Sequence, residues 1–347
     1  MAFSTQWSNI NDNGVGTCRK IGTVVFRLLS IAGLMLLICC ASTVSARQPV
    51  RVLFVGNSVT YVNNLPAVFE AIAAKQPDQP VYRSDLVAHG GATLTDHFRD
   101  SRLRGLVASA QYDVVVLQER GGDDLCVLAS EDRETDSCKA LVDSHLQLAK
   151  LAREHGARVL YLGTYQFSPQ ASRALVRAES RLSKQMAAEY VEVSERLRNL
   201  RQSAPQLPWL DTDQAHPGLA TTALMAVLLY DQLAGVAALP FELCTGAEMY
   251  PPRWQHDGVI HHTKISARAL PVRCLLGQAQ MDVITRGAVG VKKSSPAPPR
   301  AALGWVGGLA TLDWVRCCWT LDLNAFATDL RACGAGDGDD ARLGAEL

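Results

Sequence analysis

The sequence has no net charge: Lys+Arg and Asp+Glu each number 34. No run of Lys or Arg exceeds two residues. Binding to nucleic acid or to anionic lipid draws on clustered positive charge, so neither partner class is expected. There is no Cys-x-x-Cys pair, which leaves zinc and thioredoxin-type redox chemistry without local support. No internal repeat is visible. The apolar run from Leu28 to Ala41 is about 14 residues, short of the roughly 20 needed for a membrane span.

That run follows Arg19, Lys20 and Arg27 and leads into Val44-Ser45-Ala46. Basic, apolar, then small residues is the order of a secretory signal. Residues 1–46 are therefore read as a signal peptide, with the mature chain starting near Arg47 in a periplasmic or secreted location. An uncleaved anchor is the alternative. Cys39 and Cys40 lack the small residue usual before a lipidated cysteine. In the mature body, Cys126, Cys138, Cys244 and Cys274 can form disulfides in an oxidising compartment. The simplest pairing is Cys126 with Cys138 and Cys244 with Cys274; free thiols are the alternative.

What is present is an alternation of strands and helices. Residues 50–56 form a short apolar run ending in Gly56, the pattern of a strand buried on both faces. A helix is predicted over 64–75, a strand over 81–88, a helix over 94–109 and a strand over 113–118. Helix 139–155, strand 158–163 and helix 169–188 follow. Residues 190–194 read as strand or helix, and 217–236 as a final apolar helix opened by Pro217. This order implies a parallel sheet covered on both faces. Ligands of such sheets bind beyond the carboxyl ends of the strands. Ser58, Gly90-Gly91 and Gln118 all fall at that edge. After about residue 240 the periodicity fades. Residues 241–290 are expected to pack as an appendage, and 291–347 to form a linker and a tail with little stable structure.

A serine hydroxyl needs a base to activate it and donors for the oxyanion that forms. Ser58 lies in the strand-to-helix turn Gly56-Asn57-Ser58-Val59-Thr60. The nucleophile elbow of the α/β-hydrolases would require Gly at position 60, so that fold is disfavoured. Asp213-Gln214-Ala215-His216-Pro217 precedes the last helix, and a spacing of three lets one turn present both side chains to a crevice. Helix capping by Asp213 with a surface His216 is the bland reading of the same residues.

These segments resemble the SGNH (GDSL-like) hydrolases. Val52-Leu53-Phe54-Val55-Gly56-Asn57-Ser58 is similar to the first block of that family, with Asn where most members have Asp. Gly90-Gly91-Ala92-Thr93 resembles the second block and Asp211 to Pro217 the last. The third block, normally Gly-x-Asn-Asp, is Leu117-Gln118-Glu119-Arg120-Gly121-Gly122 here, closest to a branch with a Gln-Glu pair. The resemblance covers about residues 50–236, within a hydrolase domain drawn over 47–240. It implies a flavodoxin-like three-layer α/β/α fold and hydrolysis of carboxylic esters, often acetyl groups on carbohydrates. Ser58, His216 and Asp213 would form the triad. The Ser58 and Gly91 amides and the Gln118 side chain would form the oxyanion hole, with no metal or organic cofactor. An acyltransferase with the same triad and a non-catalytic carbohydrate-binding module are the rival readings.

Weaker features remain. His256, His261 and His262 are read as a solvated loop rather than a metal site. Asp123-Asp124 and Glu131-Asp132 are read as solvated charge. Trp209 and Tyr61 could line a sugar cleft or pack in the core.

Overall fold

The computed structural model describes residues 48–109, 112–128, 134–254, 259–261 and 270–289. All of them belong to a unit spanning Met1–Pro296. The expected signal segment, the tail, and Glu131, Asp132, His256 and His262 lie outside the described residues.

Five strands form the parallel sheet: β1 (Val50–Gly56), β2 (Tyr82–Ala88), β3 (Val114–Leu117), β4 (Arg158–Leu162) and β5 (Glu189–Val191). Their spatial order is β5-β4-β3-β1-β2, the flavodoxin-like order whose switch point lies between β1 and β3. The ladder pairs Val52 with Val114 and Gly56 with Ala88, so the carboxyl ends of β1, β2 and β3 finish side by side.

The helices are α1 (Ser58–Tyr61), α2 (Leu65–Ala73), α3 (Leu94–Arg99), α4 (Ser101–Ser109), α5 (Asp136–Glu154), α6 (Pro169–Gln185), α7 (Ser194–Ser203), α8 (Leu219–Ala234) and α9 (Gln278–Ala288). Alternate strand residues divide the core into two layers, since strand side chains point to opposite faces with a period of two. Val52, Phe54, Val114, Val116 and Leu160 pack against α2, α7, α8 and α9. Leu53, Val55, Val115, Leu117 and Val159 pack against α3, α4, α5 and α6. The fold is thus a three-layer α/β/α sandwich. Helix α8 is apolar on all sides and buried along nearly its whole length, as such a helix must be.

Two local expectations need correction. The helix read over 94–109 breaks at Asp100, whose backbone is extended. Its carboxylate takes the Arg102 N–H at 2.8 Å, so a short acidic side chain competes with the helix ladder and starts a new helix. The last helix opens after Gly218 rather than at Pro217, because Pro217 is held in an antiparallel bridge with Leu210. Of the two readings left open for residues 190–194, the strand is found, over Glu189–Val191, and helix resumes at Ser194.

The segment after residue 240 joins the domain closely. Strand β7 (Val259–His261) adds antiparallel to β2 as a sixth strand, pairing His261 with Asp85. Strands β6 (Leu243–Thr245) and β8 (Arg273–Leu276) form a small sheet of their own. Met281 and Ile284 of α9, a helix the sequence did not lead one to expect, enter the core beside α8. Both disulfides of the simplest pairing are present, Cys126–Cys138 and Cys244–Cys274. Among the described residues no helix is long and apolar enough to cross a membrane.

Candidate active site

Ser58 is the first residue of α1, immediately past the end of β1. Asn57 caps this helix: its side-chain oxygen accepts the Val59 N–H at 3.0 Å. Its amide nitrogen donates to the Ala92 carbonyl at 3.2 Å, which ties the serine turn to the glycine loop. A Cβ added at Gly56 would lie 2.0 Å from Thr60 Oγ1, so any larger residue there would displace Thr60. Gly91 has a φ of +70°, a left-handed conformation that costs glycine little. The Ser58 N–H begins a helix and so has no partner in the helical ladder. Among the described residues neither it nor the Gly91 N–H has a hydrogen-bond acceptor. Two donors are therefore free at this edge.

Asp213 and His216 sit in the turn before α8. His216 Nδ1 lies 2.5 Å from Asp213 Oδ2. The other Asp213 oxygen accepts the Ala215 and His216 backbone N–H groups, each at 2.9 Å. These backbone bonds first, then the His216 ring, hold the Asp213 carboxyl down at about 2. Asp213 is thus an anion that accepts only, and the ring must carry its proton on Nδ1, leaving an Nε2 lone pair. His216 is 27% exposed. The turn is anchored from two sides. Asn63 donates to the Pro217 carbonyl at 2.8 Å, and Tyr165 donates to the Ala215 carbonyl at 3.0 Å. Asn63 lies just beyond α1, so the serine helix and the histidine turn are held together by one side chain. Sequence reasoning missed Asn63, and its only local signal was a run of two asparagines between helices.

Gln118, the side-chain donor expected for the oxyanion, is turned into the core. It is 1% exposed. Its oxygen accepts from Thr60 Oγ1 at 2.7 Å and its nitrogen donates to the Gly163 carbonyl at 3.2 Å. This buried amide, bonded at both ends, ties β3 to α1 and to the end of β4. Arg120 instead reaches the glycine loop, with Nη1 3.3 Å from the Gly91 carbonyl, while pairing with Asp123 at 2.8 Å.

Glu119 is also buried. One oxygen accepts the Leu94 N–H at 3.0 Å and the other the Arg120 N–H at 2.7 Å. Behind it lies His145, with Nε2 3.7 Å from Glu119 and 3.6 Å from Asp124. Burial pushes Glu119 and Asp124 up to about 7 and pulls His145 down. Asp124, expected as solvated charge, is instead a buried acceptor for the Tyr161 hydroxyl. Trp209 and Tyr61 are core residues, with Trp209 Nε1 donating to Ala204 and the Tyr61 hydroxyl to Pro252.

No protein-family model and no curated protein matches the chain. Solved structures do. A protein from Slackia heliotrinireducens assigned to the SGNH hydrolases aligns at 20% identity and a TM-score of 0.43, over 53% of this chain and 98% of its own. A DUF4886 family protein from Bacteroides uniformis aligns at 14% identity and 0.40, over 55% and 85%. The psychrotrophic esterase EstA from Pseudoalteromonas aligns at 16% identity and 0.39, over 54% and 97%. About half of this chain is thus similar to structures that include an SGNH hydrolase and an esterase.

Proposed function

We propose that the chain is a serine esterase that hydrolyses short-chain carboxylic esters, acetyl esters of carbohydrates among them, through Ser58, His216 and Asp213. The observation that carries this reading is the 2.5 Å bond from Asp213 to His216 Nδ1, in a turn that Asn63 fastens to the segment just past the Ser58 helix. An ionised Asp213 fixes the imidazole in the tautomer that a general base requires.

In the mechanism, His216 Nε2 takes the Ser58 hydroxyl proton as Oγ attacks the ester carbonyl carbon. The carbonyl π pair moves onto oxygen, and the Ser58 and Gly91 N–H groups stabilise that charge. When the tetrahedral intermediate collapses, the C–O bond to the alcohol breaks. The leaving oxygen takes the proton from the His216 imidazolium. Water, deprotonated by His216, then attacks the acyl carbon; the bond to Ser58 Oγ breaks, the carboxylic acid leaves, and Oγ takes the proton back from His216. The two disulfides and the N-terminal segment support action outside the reducing cytosol.

The test is to treat the purified protein with a fluorophosphonate probe, locate the adduct by mass spectrometry, and assay a chromogenic acetate ester. Labelling of Ser58 with ester turnover is expected. An adduct on another residue, or turnover that survives Ser58→Ala, overturns the proposal.

A further inference from the structure

Helix α3 carries a histidine that the triad does not use. His97 is 2% exposed, and its Nε2 lies 2.6 Å from the carbonyl oxygen of Gly56, the last residue of β1. A carbonyl can only accept, so Nε2 holds the proton and Nδ1 the lone pair. Its ring stacks on His89, with centroids 5.7 Å apart. The next residue, Asn57, bonds to the Ala92 carbonyl. Gly56 and Asn57, the two residues before Ser58, are therefore both fastened to the segment 92–97.

That segment is itself rigid. Thr93 and Asp96 cap one another at the start of α3: Thr93 Oγ1 accepts the Asp96 N–H at 3.1 Å, and the Asp96 carboxylate accepts the Thr93 N–H at 2.9 Å. Glu119 holds the Leu94 N–H. Gly91 enters this unit directly and Ser58 follows the residues it clamps. The His97 and Asn57 contacts thus join the turn before Ser58 to the segment that follows Gly91.

We propose that His97 is a positioning residue: by holding the Gly56 carbonyl it fixes the turn that presents the Ser58 amide and hydroxyl in register with Gly91. The proposal rests on Ser58 being the nucleophile. His97 touches no reacting atom. A rigid ring buried in this way holds a backbone carbonyl in one place, and of the other side chains glutamine offers an N–H at the nearest reach.

The test has two arms. Long-range proton–nitrogen correlation spectra of the full protein report the His97 tautomer without reference to activity. A proton on Nε2 is expected, and a proton on Nδ1 overturns the proposal. Kinetics on an acetate ester form the second arm. His97→Leu should lower kcat by roughly 10²-fold, the cost of misplacing a reacting group by about 1 Å, with KM changed less than about twofold. His97→Gln should restore most of the loss. A folded His97→Leu enzyme with wild-type kcat, or a folded His97→Gln enzyme no better than it, overturns the proposal. Where His97→Leu does not fold, His97→Gln is set against His97→Asn, whose amide stops short of Gly56; equal kcat values overturn the proposal. Ester turnover by Ser58→Ala would overturn the triad and the positioning role together, whereas normal turnover by His97→Leu removes the positioning role alone.

Discussion

Two stretches of the same sheet edge treat their polar groups in opposite ways. Beyond β1 and β2, the Ser58 and Gly91 amides have no acceptor among the described residues and His216 is partly exposed. Beyond β3 and β4, Glu119, Asp124 and Glu179 are all buried and bonded within the protein. Glu179 accepts from the Thr164 backbone at 2.7 Å and from the Tyr190 hydroxyl at 2.6 Å. Buried polar groups bonded to one another hold structure together, while open valence at a strand end is what a ligand uses. The Gln118-Glu119 pair belongs to the first kind. Gln118 fastens α1 from one side and Glu119 fastens the start of α3 from the other, so the closed region holds the open one in shape.

The largest expected effect breaks the open half. Ser58→Ala should lower ester kcat by roughly 10⁶-fold, as removal of a triad serine does, while its melting temperature stays that of the parent. A loss of stability on the same scale as the loss of activity would put Ser58 in the closed set. Glu119→Leu acts on the other half. It strips the acceptor from the Leu94 and Arg120 amides, and a buried unsatisfied donor costs about 1–3 kcal/mol. Denaturant unfolding should show a loss of about 3 kcal/mol; an unchanged midpoint would mean that water reaches those amides.

Gln118→Ala sharpens the boundary between the two. It leaves the Thr60 hydroxyl and the Gly163 carbonyl without their partner, a cost of about 2 kcal/mol. The kcat should fall less than about tenfold, against the roughly 10²–10³-fold that follows loss of an oxyanion donor. A fall in the latter range at unchanged stability would return Gln118 to the open set.

The last effect is a change of pH slope. Burial, then the nearby Asp124 charge, raises Glu179 to about 8 against an ordinary value of 4.5. Between those values the folded chain keeps a proton that the unfolded chain has lost, so stability is greatest at the acid end and falls as pH rises towards 8. Glu119 and Asp124, raised in the same direction, add to the fall. Glu179→Gln has no proton to lose and should flatten the stability profile by about 1 kcal/mol per pH unit between pH 5 and 8, near the limit for one proton. Denaturant midpoints measured across that range give the slope. A profile as steep as the parent's would assign the titration to the other two carboxyls.

Strands β1, β3 and β4 were legible because a strand covered on both faces reads as an unbroken apolar run. The edge they share followed from chain order alone. For Asp213 and His216 a spacing of three within one turn allowed either a pair or a helix cap beside a surface histidine, and the resemblance to the SGNH hydrolases favoured the pair. Asp124 was misread because an acidic pair in a glycine-rich loop looks solvated until Tyr161 and His145, from elements far along the chain, close over it. His97 could have been found: it lies three residues after Leu94, and both are buried on one face of α3, where a histidine needs a hydrogen-bond partner.

Hydrophobic periodicity and short-range spacing are properties of neighbouring residues, and they are enough to set the α/β order and the strand-end position of Ser58 and to allow the pairing of His216 with Asp213. What a buried polar side chain bonds to is a property of the assembled layers. Gln118 meets Gly163 and Thr60, His97 meets Gly56 and Asn63 meets Pro217 across 41 to 154 residues of chain. No local pattern encodes those distances. Only packing of the helices on the two faces of the sheet decides which polar groups are closed off and which are left open at its edge.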